Sequence, residues 1–151
     1  MKIKPFVALV SLAAIAFIIA PASTSLIAQT EPVFDAYRGV KIGMAAEKAR
    51  ETLGKAKDES DKEDYYDFDN GESARVIYDA EKNVRVISAT YSKNLESAPQ
   101  PQDVVGEMIK PNEDGGMFKM VRYPSHGFWI TYVKIAGDEP MIIITMQKMR
   151  T

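Results

Sequence analysis

The spacing of apolar residues first follows a helical period and then a strand period. Between Gly43 and Gly54, small apolar residues recur once per helical turn while charged residues occupy the other positions, which predicts a short amphipathic helix stopped by Gly54. The predicted apolar stripe consists of Ala45, Ala49 and Leu53. Because alanine dominates this stripe, we expect the helix to lie close to the element that it covers.

The residues after this helix predict a loop and then three strands. The segment from Lys55 to Asp64 is charged and has no apolar side chain larger than alanine, which predicts a solvated loop. From Tyr66 onward apolar and polar residues alternate, and Asn70-Gly71 is typical of a hairpin turn. A third strand, rich in β-branched residues, is predicted at 84–91.

The same order of elements recurs after a proline-containing linker at 92–102. A short helix is predicted to end at Pro111. Its apolar face consists of Val104, Val105, Met108 and Ile109. Three strands are predicted at 117–123, 127–135 and 140–148. The last strand is apolar on both sides, which predicts a central place in the sheet or a cover on its second face.

This pattern predicts an α+β fold. Two successive helix-plus-three-strand units, 33–92 and 100–149, predict one domain over 33–151, in which a curved antiparallel sheet carries both helices on one face. The similar length of the units is typical of a duplicated topology, although their side chains align poorly. Residues 23–32 are small and polar, which predicts a flexible lead-in.

The start of the chain predicts export. Lysines at positions 2 and 4 precede an uncharged apolar run that ends in Ala20-Pro21-Ala22, and this order of basic, apolar and small residues is typical of a signal peptide at 1–22. Cleavage after Ala28 and an uncleaved inner-membrane anchor are the alternatives, since no charge occurs between Lys4 and Glu31. Pro21 interrupts the apolar run and favours cleavage, which predicts a periplasmic or secreted protein.

Composition excludes several classes of site and partner. The chain has no cysteine, so disulfides, cysteine-held metals and a lipid-bearing cysteine are excluded. The net charge is -2, and loss of residues 1–22 removes two lysines and no acid, which makes it about −4. No basic block could follow a phosphate backbone, so we expect no nucleic-acid partner.

Residues 37–91 resemble a family of the bacterial envelope. The resemblance rests on the segment 37–44 (YRGVKIGM), on the helix that Gly54 ends, and on the hairpin with Asn70-Gly71 and residues 76–79 (VIYD). Together they are similar to the small outer-membrane-assembly lipoproteins of the SmpA/OmlA type and to the β-lactamase-inhibitory-protein fold. The resemblance implies a helix-plus-sheet module that binds other proteins and catalyses nothing. The chain departs from the lipoproteins in lacking the lipid-bearing cysteine and in having a second half.

The residues that could carry chemistry do not form a recognisable motif. His126 is the only histidine, and its neighbour Ser125 makes a hydrolase a weak alternative, since adjacent residues rarely reach attack geometry. The acidic run from Asp58 to Glu72 lacks the glycine and glutamate positions of a calcium loop. Methionines three apart fall on opposite faces of a strand and cannot chelate copper(I) together. No catalytic, cofactor-binding or metal-binding residue is predicted.

Aromatic residues cluster around the predicted turn at 124–127. Strand alternation places Phe128 and Tyr132 on one face and Trp129 on the other, and aromatic anchors are common at binding surfaces. The predicted partner-binding residues are Tyr123, His126, Phe128, Trp129 and Tyr132.

Two hypotheses of function follow from the predicted fold. The first is an exported, non-enzymatic module of the bacterial envelope that binds another envelope or extracellular protein through the helix-free sheet face around Trp129. The alternative is a periplasmic carrier of a small apolar ligand, with a pocket lined by Met108, Met120 and Phe128. A carrier needs a cavity of several hundred cubic ångströms, whereas a binding module is packed solid.

Overall fold

A computed structural model of the protein describes residues 31–150. Seven strands form one antiparallel sheet in the order β1-β2-β3-β4-β7-β6-β5. The elements in chain order are α1 (Ala46–Leu53), β1 (Asp58–Glu59), β2 (Glu63–Asp67), β3 (Glu72–Tyr78), β4 (Val84–Tyr91), α2 (Pro101–Val105), β5 (Met117–Tyr123), β6 (Phe128–Ile135) and β7 (Met141–Lys148). The predicted signal peptide and most of the predicted lead-in lie outside the described residues.

The architecture is mostly β sheet with two short helices, so the predicted α+β class describes it only loosely. The first half of the chain contributes four neighbouring strands and not the predicted three, because β1 was not predicted, whereas the second half contributes the predicted three. The two blocks meet where β4 pairs with β7. The central position of β7, between β4 and β6, confirms the prediction from its two apolar sides.

One face of the sheet, the core face, carries the buried side chains. Val76, Ile87, Met146 and Ile130 are consecutive cross-strand neighbours on β3, β4, β7 and β6, and each is at most 1% exposed. Arg50 of α1 reaches the carboxylate of a β2 residue on this face, and α2 packs against β5 and β6.

The two helices differ in detail from their predictions. Ala46 and Ala49 form the buried side of α1, whereas Ala45 precedes the helix and is exposed. The second helix was predicted to continue to Pro111, and this prediction is wrong. Gly106 adopts a left-handed conformation with φ 79 and ends α2 five residues earlier. Met108 consequently lies outside the helix and is 71% exposed.

The segment from Lys55 to Asp64 is only in part the solvated loop that its composition predicted, since most of its residues are exposed. Asp58 and Glu59 pair with β2 as a two-residue strand, and Asp64 is fully buried. The prediction failed at Asp64 because charged residues are expected at the surface unless a partner is known, and the partner of Asp64 is Arg50, fourteen residues away in the chain.

Candidate partner-binding surface

The sheet face opposite the core, here called the open face, carries a cluster of apolar side chains on β5, β6 and β7. Phe118, Val133 and Ile143 follow one another across these three strands, and Arg122 lies opposite Trp129. We call this cluster the apolar patch; it consists of Phe118, Met120, Trp129, Val133, Ile135 and Ile143. Exposure reaches 64% for Phe118, 43% for Ile135 and 39% for Met120, whereas the other three are half-buried.

The apolar patch gives way to polar residues toward β4 and then to charged residues toward β2. Ser88 and Thr145 are neighbours on β4 and β7 of the open face, and their hydroxyls lie 3.0 Å apart. Farther along, Arg75 on β3 donates from Nε to Glu63 on β2 over 2.9 Å. The open face therefore has an apolar end and a charged end.

The five predicted partner-binding residues do not share one surface. Tyr123, Phe128 and Tyr132 are at most 5% exposed and lie on the core face. His126 is in the exposed turn between β5 and β6, and its ring meets those of Tyr123 and Phe128 edge-on at 6.4 and 6.5 Å. Trp129 alone lies on the open face, half-buried. The alternation predicted for Phe128, Trp129 and Tyr132 is confirmed, and whether any of them binds a partner stays a prediction.

The sequence-based prediction of partner-binding residues omitted Phe118 and Met120, the two most exposed patch residues on β5. A signal for them existed, because both are an even number of residues from Arg122, which the β5–β6 hairpin places opposite Trp129. Using this signal required the register of the hairpin, which depends on the length of its turn. Only the cross-strand pairing in the structure supplies that register.

The most buried charged group on the core face is Asp64. Its carboxylate accepts two hydrogen bonds from Arg50, at 2.8 and 3.0 Å, and one from the hydroxyl of Tyr78 at 2.6 Å. Burial by itself raises the pKa of Asp64, but the hydrogen bonds from Arg50 and Tyr78 outweigh it and hold that pKa below its usual value. Asp64 is inaccessible to a ligand, so this cluster stabilises the fold and offers no reactive group.

A second ion pair lies where the segment before α1 meets β3. Arg38 donates to both carboxylate oxygens of Glu72, at 2.9 and 2.7 Å, and the hydroxyl of Tyr37 donates to one of them over 2.7 Å. Hydrogen bonding from Arg38 lowers the pKa of Glu72, and the Arg38 guanidinium lies 4.2 Å from the ring centre of Phe68. A cleft of 260 Å³ adjoins this pair, but its arginine is already neutralised by Glu72.

The three residues predicted to line a carrier pocket do not come together. Met108 is 71% exposed, Met120 is on the open face, and Phe128 is on the core face. Phe128 lines a small cavity of 170 Å³ that also contains charged side chains from Asp35 and Lys41. This volume is below the several hundred cubic ångströms of a typical ligand pocket. Two larger hollows, of 550 and 590 Å³, are lined mainly by charged residues at the β2–β3 end of the molecule and contain none of the three predicted residues.

Ser125 and His126 form a hydrogen bond that their adjacency in the chain argued against. Ser125 Oγ lies 3.0 Å from His126 Nδ1, and His126 Nε2 lies 2.9 Å from the carboxylate of Glu31. Because a carboxylate only accepts hydrogen bonds, it favours the hydrogen on Nε2 and leaves Nδ1 to accept from the serine hydroxyl. This is the order of a nucleophile, a base and an orienting acid, although Ser125 and His126 are exposed in a turn.

Among residues 31–150, no three histidine, aspartate or glutamate side chains converge to hold a metal ion. Neither of the helices in this part of the chain has the length and apolar character needed to cross a bilayer.

Comparison with known proteins gives one distant structural similarity. No protein-family sequence profile and no curated protein matches the chain. The fold is similar to the crystal structure of a DUF4309 family protein, YjgB, from Bacillus subtilis, with a TM-score of 0.47 and 12% sequence identity over 74% of this chain and 83% of the other. This similarity is too distant to carry an argument about function, and the resemblance of residues 37–91 to the envelope lipoproteins stays a prediction.

Proposed function

We propose that the protein is an exported, non-enzymatic binding module that docks another envelope or extracellular protein on the apolar patch of its open face. The observation that supports this proposal is the exposure of Phe118, Met120 and Ile135 on the same face of the sheet as the half-buried Trp129. Contiguous exposed apolar surface is rare on monomeric soluble proteins and is typical of interaction sites.

The composition and rigidity of the patch suit a protein partner. Trp129 and Phe118 are aromatic anchors, and Arg122 adds a charged group beside Trp129 at its rim, the combination enriched at the energetic centres of interfaces. The patch lies on regular strands whose opposite side is the packed core, so its backbone is already ordered. Binding a partner would therefore not cost the conformational entropy of ordering this backbone.

Substitution of Trp129 by alanine tests this proposal. The protein is produced from its full sequence and purified in the processed form that the producing cells yield. It is then mixed with envelope extract from the same host, and the captured proteins are quantified by mass spectrometry. We expect Trp129→Ala to reduce capture of the partner about tenfold or more, the loss typical of an interface anchor.

Tyr65→Ala is the matched control. Tyr65 is an aromatic residue on the same open face, 39% exposed, but it lies on β2 at the charged end. We expect this variant to capture the partner as well as the unaltered protein does. Equal capture by all three proteins, at unchanged stability, would refute the proposal, because Trp129 would then not contribute to binding.

A second candidate function is hydrolysis by Ser125, which the hydrogen bond from Ser125 to His126 favours. His126 would act as the base and Glu31 would orient its ring. Turnover of a chromogenic ester that is lost in both Ser125→Ala and His126→Ala would support it. Turnover retained in His126→Ala, or no turnover by the unaltered protein, would eliminate it.

A further inference from the structure

The two edges of the sheet differ sharply. One edge is β1, which has only two residues, both acidic, Asp58 and Glu59. Short, charged edge strands are a common protection against unwanted strand pairing. The other edge is β5, which has seven residues. Its lysine, Lys119, lies on the core face and is neutralised by an ion pair with Glu107 over 2.7 Å, so it leaves no uncompensated charge on this edge.

The outward-facing backbone groups of β5 belong to Phe118, Met120 and Arg122. Met149 N–H donates to Gly127 C=O, so this carbonyl points toward β7. The N–H of Phe128 belongs to the same trans peptide unit and therefore points the opposite way, toward β5. Phe128 lies opposite Tyr123, so the odd-numbered residues of β5 face β6. Within residues 31–150, the outward N–H and C=O groups of the three even-numbered residues make no backbone hydrogen bond.

The sequence of β5 is self-complementary about Met120. An antiparallel second β5, related by a twofold axis at Met120, places Phe118 opposite Arg122 of the other copy and Met120 opposite its equivalent. All three outward residues then pair, and each guanidinium faces an aromatic ring.

Other twofold registers of β5 are poorer. A register centred on Phe118 overlaps only residues 117–119 of each strand. A register centred on Lys119 or on Arg122 places like charges directly opposite each other. A register centred on Val121 places Phe118 opposite Pro124, which has no N–H to donate.

We infer that the partner of the β5 edge is a second copy of this chain, and that two copies pair antiparallel through Phe118, Met120 and Arg122 into one continuous sheet. Residues paired across antiparallel strands share a face, so the two apolar patches join on the same side of this sheet. The inference concerns the edge and not the face, and it stands independently of the proposed function.

Charge substitution at Met120 tests the pairing. Analytical ultracentrifugation of the unaltered protein, without any other partner, is expected to give a dimer at high concentration. Met120→Lys and Met120→Glu each place like charges across the axis and are expected to give monomers. An equimolar mixture of these two variants is expected to restore the dimer, since the charges across the axis are then opposite. A restored dimer would also show that both variants are folded.

A second measurement locates the contact. In hydrogen exchange of the unaltered protein, the amides of Phe118, Met120 and Arg122 are expected to exchange more slowly at high than at low concentration. Trp129→Ala, which alters the open face and not the edge, is expected to leave the dimer mass unchanged. A monomer at every concentration, or a dimer that persists in Met120→Lys, would overturn the inference without affecting the proposed partner on the face.

Discussion

Replacing Asp64 by alanine is expected to destabilise the protein more than any surface substitution. Its carboxylate is fully buried and accepts hydrogen bonds from Arg50 and Tyr78. Removing one partner of a buried ion pair typically costs about 3 to 5 kcal/mol. The Arg50 side chain is 29% exposed and regains some contact with water, so we expect a loss near the lower value, about 3 kcal/mol.

Glu63→Ala is the control for this prediction. Glu63 precedes Asp64 in the chain and pairs with Arg75, but both side chains of this pair are largely open to solvent, at 42% and 56%. An exposed pair contributes about 1 kcal/mol or less. Urea unfolding at neutral pH, followed by circular dichroism, measures both variants. Equal losses in the two would refute the reasoning, because the burial of Asp64 would then have no energetic consequence.

The same carboxylate predicts how stability depends on pH. The pKa of Asp64 is lower in the folded protein than in the unfolded chain, so folding favours the charged form. The resulting stabilisation is complete above the unfolded pKa, about 3.9, and is lost as the pH falls through the folded pKa. Asp64→Asn removes this contribution, so the difference in unfolding free energy between the two proteins is expected to shrink in acid. A difference that stays constant would contradict the assignment.

Two further substitutions test individual contacts. Gly71→Ala is expected to cost about 1 to 3 kcal/mol of unfolding free energy, because Gly71 has a φ of 74 and an added Cβ would lie 2.8 Å from Lys93 Cγ. The matched control is Gly43→Ala, since Gly43 has a similar φ of 86 but no atom within 4 Å of an added Cβ. An equal loss in both variants would show that crowding at Gly71 contributes nothing. Glu72→Gln is expected to cost about 1.5 to 3 kcal/mol, since it weakens two charge-assisted hydrogen bonds from Arg38; an unchanged thermal unfolding midpoint would contradict this.

All strands except β1 were predictable because their signals are local. The predicted bounds 84–91 and 117–123 coincide with β4 and β5, since alternation and β-branched residues report directly on a half-buried strand. The central place of β7 followed from its apolar residues on both sides. The end of α2 at Gly106 was missed because apolar residues at helical spacing continue beyond it as far as Ile109.

The site was less predictable because it depends on contacts distant in the chain. The sequence alone predicts a surface position for Asp64, because its partner Arg50 is distant in the chain. The apolar patch combines residues of three strands, and its membership depends on the register of the β5–β6 hairpin. Aromatic clustering led to Tyr123, Phe128 and Tyr132, which the structure buries in the core, because aromatic residues serve cores and interfaces equally well.

Site-specific photo-crosslinking in the native host tests the central claim most directly. A photoreactive phenylalanine analogue is placed at Phe118, in the apolar patch, and separately at Tyr65, at the charged end of the same face. The proposed function predicts an adduct with a different protein from position 118 and none from position 65, while an adduct of twice the chain mass would report the second copy. Equal adducts from both positions, or no adduct with another protein from position 118, would contradict the claim that the apolar patch binds a partner protein.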